Sequence, residues 1–195
     1  HLFGMCNGLV EAGAEIAWFY DPDPQRVVAF QRRFPSARAA RSLDEVLDDD
    51  TVSLVAAAAV PNERGPLGCR VIAAGKHYFT DKTPFTTLEQ LDEARAAVAK
   101  NQRRYLVYFS ERLHSECAVH AGQLVHDGAI GRVIQVLGLG PHRLNAPSRP
   151  PWFFERTRYG GSLCDIGSHQ FEQYLHYSAA TSARQTELKS DYVVI

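Results

Sequence analysis

Apolar and polar positions alternate in two rhythms over the first half of this sequence. Residues 2–12 repeat apolar side chains at helical spacing and stop at Gly13, as a helix followed by a glycine does. "AEIAWFY" then runs almost unbroken to Asp21, the pattern of a strand buried on both faces of a parallel sheet. "DPDP" makes a turn and opens a helix, because proline suits the first helical turn. That helix carries Val27, Phe30 and Phe34 on one face until Pro35 breaks it. Ser42 and Glu45 form a capping box for a short helix through Leu47. "VSLVAAAAV" predicts a second buried strand, ended by Pro61, and a helix then runs to Ala74 and closes on Gly75. "HYFT" predicts a short strand. Thr87 and Gln90 cap the next helix, with Leu88, Leu91, Ala94 and Val98 on one face, and "YLVYF" is a further strand.

Strands separated by helices require crossover connections, so the pattern predicts an α/β domain built on a doubly wound parallel sheet. After Phe109 the rhythm changes. A helix is expected over residues 115–126, then a strand at "RVIQVLGLG", then an irregular stretch over 142–159 rich in Pro, Arg and aromatics. A helix led by Gly160 and Gly161 follows. This reads as the start of an α+β second domain, giving domains over 1–110 and 111–195. The ends look cut: the sequence opens inside a helix with no strand before it and stops on the strand-like "DYVVI".

Composition narrows the function classes. The 195 residues carry 45% hydrophobic and 22% charged side chains, as ordinary globular domains do. A net charge of −1 gives no reason to expect nucleic acid or an anionic membrane as partner. The longest apolar run, residues 52–60, is far short of the roughly 20 residues a bilayer needs. No basic and apolar leader opens the sequence. The four cysteines have no CxxC spacing, so they read as reduced thiols of a cytoplasmic protein rather than a disulfide framework or a zinc site.

Three places carry candidate chemistry. Asp21 ends the second expected strand position of a dinucleotide fold, where an acid binds the adenosine ribose and repels a 2′-phosphate; equally, it caps the helix that follows. The glycine fingerprint of such folds is absent: Gly4 and Gly8 make GxxxG inside a helix, spacing that suits close packing of the helix on the sheet. A phosphate loop would have to precede His1. Lys82 in "TDKTPF" follows a strand directly, at the edge where open α/β sheets bind ligands; an amine there steadies charge on a reacting oxygen, or is a surface lysine on a turn. Asp165 and His169, four residues apart, suit a helical acid–imidazole dyad, a surface ion pair, or two metal ligands with His142 as third.

Together these stretches resemble a known family. "AAGKHYFTDKTPFTTLEQ", "YGGSLCDIGSHQFEQYL" and "VAAAAVPNERGPLGCRVIAAGKH" are similar, in order and spacing, to segments of the glucose–fructose oxidoreductase / inositol dehydrogenase / MocA (Gfo/Idh/MocA) family, over residues 1 to about 177. The resemblance implies a Rossmann-like cofactor domain followed by an open-sheet second domain that often forms an oligomer interface. It implies an NAD(P)-dependent dehydrogenase or reductase acting on a sugar, cyclitol or related polyol. It assigns Lys82, Asp165 and His169 to catalysis, and Asp21, Pro61, Asn62 and Lys82 to the cofactor, with NAD favoured by Asp21 and NADP left open. Arg112, His114, His142, Arg143, Trp152, Arg156 and Tyr159 then stand as candidate polar contacts and a stacking face for substrate. The partners expected are a small polyol or sugar and further copies of the chain, with no metal. One departure is plain: the family's Glu-Lys-Pro reads Asp81-Lys82-Thr83-Pro84. The alternative is a dinucleotide- or sugar-binding sensor or scaffold of the same fold.

Overall fold

A computed structural model describes residues 1–180. Helix α1 (Leu2–Glu11) leads into strand β1 (Trp18–Phe19), helix α2 (Pro24–Arg33), strand β2 (Arg38–Ala39), helix α3 (Leu43–Leu47), strand β3 (Leu54–Ala57), helix α4 (Pro61–Ala73), strand β4 (His77–Asp81), helix α5 (Leu88–Asn101) and strand β5 (Tyr105–Tyr108). β1 pairs with β2, and β3, β4 and β5 form a second run in that order; every pairing is parallel. Each neighbouring pair is joined through helix, as parallel strands demand. The α/β expectation holds: this is a Rossmann-like fold.

Local chemistry explains most boundaries. Asp23 caps α2 by accepting the Gln25 N–H at 2.9 Å, with Pro24 in the first turn. Ser42 accepts the Glu45 N–H at 3.3 Å, and the Glu45 carboxylate accepts the Arg41 N–H at 2.8 Å. That is a capping box displaced by one residue on its return arm. Thr87 and Gln90 repeat the device on α5: Gln90 N–H donates to Thr87 Oγ1 at 3.3 Å, while Gln90 Oε1 accepts from Thr86 N–H at 2.9 Å.

Contacts divide the chain into two units. The first is His1–Phe109 with Leu144–Asp165; the second is Ser110–Arg143 with the described residues from Ile166 onward. In the first unit one cluster joins Cys6, Phe19, Phe30 and Ala37, with the Phe19 and Phe30 rings stacked at 4.7 Å. Another joins Val71, Ile72 and Tyr78, all fully enclosed. The stretch Leu144–Asp165 contributes two 3₁₀ turns, Ala146–Ser148 and Pro151–Phe154, and helix α8 (Arg156–Tyr159). The second unit holds α6 (Ser110–Leu113), α7 (Glu116–His126) and α9 (Ser168–Ser178).

Three expectations need correction, and one strand was not foreseen. "AEIAWFY" supplies only two ladder residues. Arg38–Ala39 forms a strand that no apolar pattern announced, because both residues are exposed. "RVIQVLGLG" has no regular secondary structure and joins no ladder among the described residues, and Ile134, Leu137 and Leu139 are largely exposed. Gly4 and Gly8 do not serve close packing: a Cβ at either would meet nothing within 4 Å. The expected strand at "DYVVI" lies outside the described residues.

Candidate active site

Lys82 leaves the end of β4 and turns its amine to the Asp165 carboxylate, with a second contact to the Asp165 carbonyl at 3.3 Å. Neither side chain is open to bulk water: they are 13% and 22% exposed. The Tyr159 hydroxyl donates to the other Asp165 oxygen at 3.1 Å. A charge-assisted contact on one oxygen and a phenol on the other hold the carboxylate in one orientation. The peptide between Lys82 and Thr83 is cis, and Thr83 Oγ1 donates to the Cys164 carbonyl. Gly160 and Gly161 both take positive φ, and a Cβ on Gly160 would stand 2.8 Å from Thr86 Cγ2. Glycine therefore lets the segment before Asp165 come against the loop that carries Lys82.

The base of that loop is tied by a residue the sequence reading did not single out. Arg64, in the first turns of α4, is 6% exposed. Its Nε donates to the Ala59 carbonyl at 2.7 Å, and one terminal nitrogen meets the carbonyls of Asp81 at 3.3 Å, Thr83 at 3.2 Å and Lys82. Its other terminal nitrogen is 3.6 Å from the Asp81 carboxylate. Burial pulls the guanidinium pKa down, and Asp81 opposes that shift. A basic residue near a helix N-terminus runs against the macrodipole, the one signal in "VPNERG" that pointed to a special role.

Two expected cofactor positions also sit at carboxyl ends of strands. Asp21 follows β1; its Oδ1 accepts the Asp23 N–H at 2.9 Å and its Oδ2 lies 4.0 Å from Arg26. Asp23, not Asp21, caps α2. Pro61 and Asn62 open α4 after β3. The Asn62 carbonyl accepts from Gln90 Nε2 at 2.9 Å, while its side-chain oxygen is buried without a hydrogen-bond partner among the described residues. A buried amide oxygen in that state suits a ligand that brings an N–H donor. Trp152 is half-buried in the second 3₁₀ turn, and Arg156 is exposed at the start of α8.

In the second unit, His169 lies in the first turn of α9. Asp165 lies in a π-helical turn, Leu163–Gly167, where a plain α-helix was expected. The His169 side chain is 3% exposed, and its Nε2 is 3.6 Å from Glu111. Glu111 also takes His142 Nε2 at 2.7 Å, while His142 Nδ1 meets the Gly140 carbonyl at 2.9 Å. Arg112 makes a two-pronged pair with Glu172, with Nε at 2.7 and 3.0 Å from its oxygens, and that pairing raises the Arg112 pKa. Glu111 and Glu172 were not foreseen; single glutamates in amphipathic helices carry no distinguishing signal. Arg143 is exposed. Among the described residues no group of three or more His, Cys, Asp or Glu side chains is gathered to hold a metal.

Comparisons with known proteins identify the family. Residues 7–109 match the model of the oxidoreductase family with an NAD-binding Rossmann fold, and residues 118–187 match the Gfo/Idh/MocA C-terminal domain. The D-xylose dehydrogenase of Paenarthrobacter nicotinovorans is 28% identical over 138 residues, 68% of this chain and 35% of that protein. A crystal structure from Erwinia carotovora atroseptica, described only as an oxidoreductase, superposes with a TM-score of 0.87 at 45% identity, covering 92% of this chain and 54% of that one. Levoglucosan dehydrogenase in complex with NADH and levoglucosan shares the fold, with a TM-score of 0.68 at 22% identity over 83% of this chain and 44% of that one. The chain thus spans about a third to a half of the length of these relatives. With its cofactor-domain match running from residue 7 to residue 109, more than half the sequence, the chain belongs to the Gfo/Idh/MocA family of oxidoreductases.

Proposed function

We propose that this chain carries working parts of an NAD-dependent dehydrogenase or reductase whose substrate is a sugar, cyclitol or related polyol. The observation that carries the reading is the Lys82 amine at the carboxyl end of a parallel strand, sheltered from water and held by Asp165. A fixed cation in a sheltered place stabilises negative charge on a substrate oxygen without reorganising first. The carbohydrate substrates named for the D-xylose and levoglucosan enzymes support the substrate class.

The residues present fit NAD. Asn62 offers a buried acceptor with no partner among the described residues, which suits a carboxamide N–H. Asp21 offers a carboxylate after β1, the side chain that ribose hydroxyls would meet and a 2′-phosphate would avoid. Nicotinamide, when bound, supplies the hydride acceptor or donor. In oxidation the carbinol C–H bond breaks with its electron pair, and the hydroxyl proton passes to a base. The family resemblance gives that proton to His169, and its surroundings support the role: the imidazole is nearly enclosed, with the Glu111 carboxylate 3.6 Å away to stabilise the charged ring. Lys82 steadies negative charge on a substrate oxygen, and Asp165 keeps the amine aimed.

The test pairs binding with turnover. NADH fluorescence is titrated, then polyols and sugars are screened for NAD reduction. Lys82→Met and His169→Ala are each expected to lower kcat by about 10²–10⁴-fold, and His169→Ala to retain NADH binding. NADH binding with no turnover on any sugar or polyol would favour a sensor; near-normal turnover by Lys82→Met would remove the amine from the chemistry.

A further inference from the structure

Three consecutive carbonyls, those of Asp81, Lys82 and Thr83, point at a single nitrogen of Arg64. Carbonyl dipoles so aligned repel one another, and in a buried place water does not relieve them. A positive charge with several donors does. A guanidinium offers five N–H donors in a rigid fork, and here the fork is shared between two strand ends: Nε holds Ala59 after β3, and the terminal nitrogens hold the residues that end β4.

We infer that Arg64 is the positioning residue for Lys82: from α4 it fastens the backbone on both sides of the lysine, so that the amine projects at Asp165 from a fixed base. Gln90 completes the clamp from α5. It accepts the Thr86 N–H at 2.9 Å and donates to the Asn62 carbonyl at 2.9 Å, which ties the exit of the lysine loop to the first turn of α4. Gly65 leaves the room this needs, since a Cβ there would stand 3.1 Å from Gln90 Cβ and 3.2 Å from Phe85 Cδ1. Tyr105 secures the helix in turn by donating to the Arg64 carbonyl at 3.2 Å. The loop has threonine, not proline, directly after the lysine. Its shape is therefore set less by a ring in the backbone and more by the cation beneath it.

The importance of Arg64 to turnover rests on the reading of Lys82 given above, but its grip on the loop is tested without turnover. Amine labelling by reductive methylation is followed by mass spectrometry, with Lys82 compared against the exposed Lys100 in the same sample. Arg64→Met is expected to raise the Lys82 labelling rate about tenfold, as an ordered contact to a charged group is lost. Arg64→Lys, which keeps the charge but not the fork, is expected to fall between. In turnover, Arg64→Met is expected to lower kcat with little change in the NAD KM, and Arg64→Lys to recover part of it. A folded Arg64→Met that labels as the parent does overturns the inference. Should that variant not fold, the same measurement on Arg64→Lys decides, with parent-like labelling counting against the guanidinium fork. Side-chain NMR of the unaltered protein gives a variant-free answer: a slowly exchanging Arg64 Nε–H supports the clamp, and exchange as fast as in exposed arginines refutes it. If Lys82→Met turns over normally, the catalytic reading falls while labelling still reports on Arg64.

Discussion

At the scale of single residues, Asp49 shows how a carboxylate away from the candidate site sets acid stability. Its Oδ1 accepts from Thr51 Oγ1 at 2.6 Å and Thr51 N–H at 2.9 Å, and its Oδ2 accepts from Trp18 Nε1 at 2.7 Å. Arg38 stacks over the Trp18 ring at 3.9 Å and reaches the same carboxylate at 3.5 Å. Hydrogen bonds from Thr51, then Trp18, pull the carboxyl down to about 2. A folded-state pKa below the unfolded one adds stability that is complete above the unfolded value of 3.8 and is lost as pH falls through about 2. Asp49→Asn should therefore be less stable than the parent near neutral pH, and the gap in denaturant midpoint should close towards pH 2. A gap that stays constant over that range would show that the carboxylate's charge is not what matters. Legibility at this scale was uneven. Lys82 and Asp165 could be singled out as candidates because each sits beside a backbone signal, a strand end and a double glycine. Arg64 was missed because its partners are carbonyls, which any sequence supplies, and its burial depends on how two strands end.

At the scale of elements, α4 does the most to shape the lysine loop, and Gly68 sets how closely it approaches the sheet. A Cβ at Gly68 would stand 2.7 and 2.8 Å from the Tyr78 ring and would also run into Tyr105. Those two rings meet edge to face at 5.0 Å, with Tyr78 fully enclosed. Gly68→Ala must push the helix off the rings or turn a buried tyrosine, at a cost of about 1–3 kcal/mol. The measurement is a chemical-denaturation midpoint, and a variant as stable as the parent would mean that the helix has slack. Because α4 also carries Asn62, the same substitution is expected to weaken NADH binding. The caps of α3 and α5 were readable because a side chain and the amide it caps lie within a few residues, whereas α2 is capped by Asp23 rather than by Asp21. Strands were harder. β2 is two exposed residues defined by pairing with β1, and "RVIQVLGLG" has an apolar strand composition without a ladder among the described residues. Pairing is a long-range fact that composition does not contain.

At the scale of the whole molecule, the two units differ in how much apolar surface they enclose. Among the described residues, every buried hydrophobic side chain, from Met5 to Ala94, belongs to the first unit. In the second unit Leu113, Val119, Leu124, Ile130, Ile134, Leu137 and Leu139 are all exposed among the described residues, and ion pairs such as Arg112–Glu172 hold its helices. Enclosed apolar area is the main reserve against local opening, and a partly exposed ion pair adds little to it. Amide exchange should therefore separate the units. Peptides across α4 and β4, which hold Val71, Ile72, Tyr78 and Thr80 at full burial, are expected to open only with global unfolding. Peptides across α7 and α9 are expected to exchange at a distinctly lower free energy, with denaturant lowering the first set more steeply than the second. Hydrogen-exchange mass spectrometry on the 195-residue chain makes the comparison. Equal protection of α7 and β4 would mean that the second unit is stabilised by burial the described residues do not show. Substrate or cofactor that protected α9 more than β4 would mark the second unit as the part that binding orders, because ordering gains most where opening costs least.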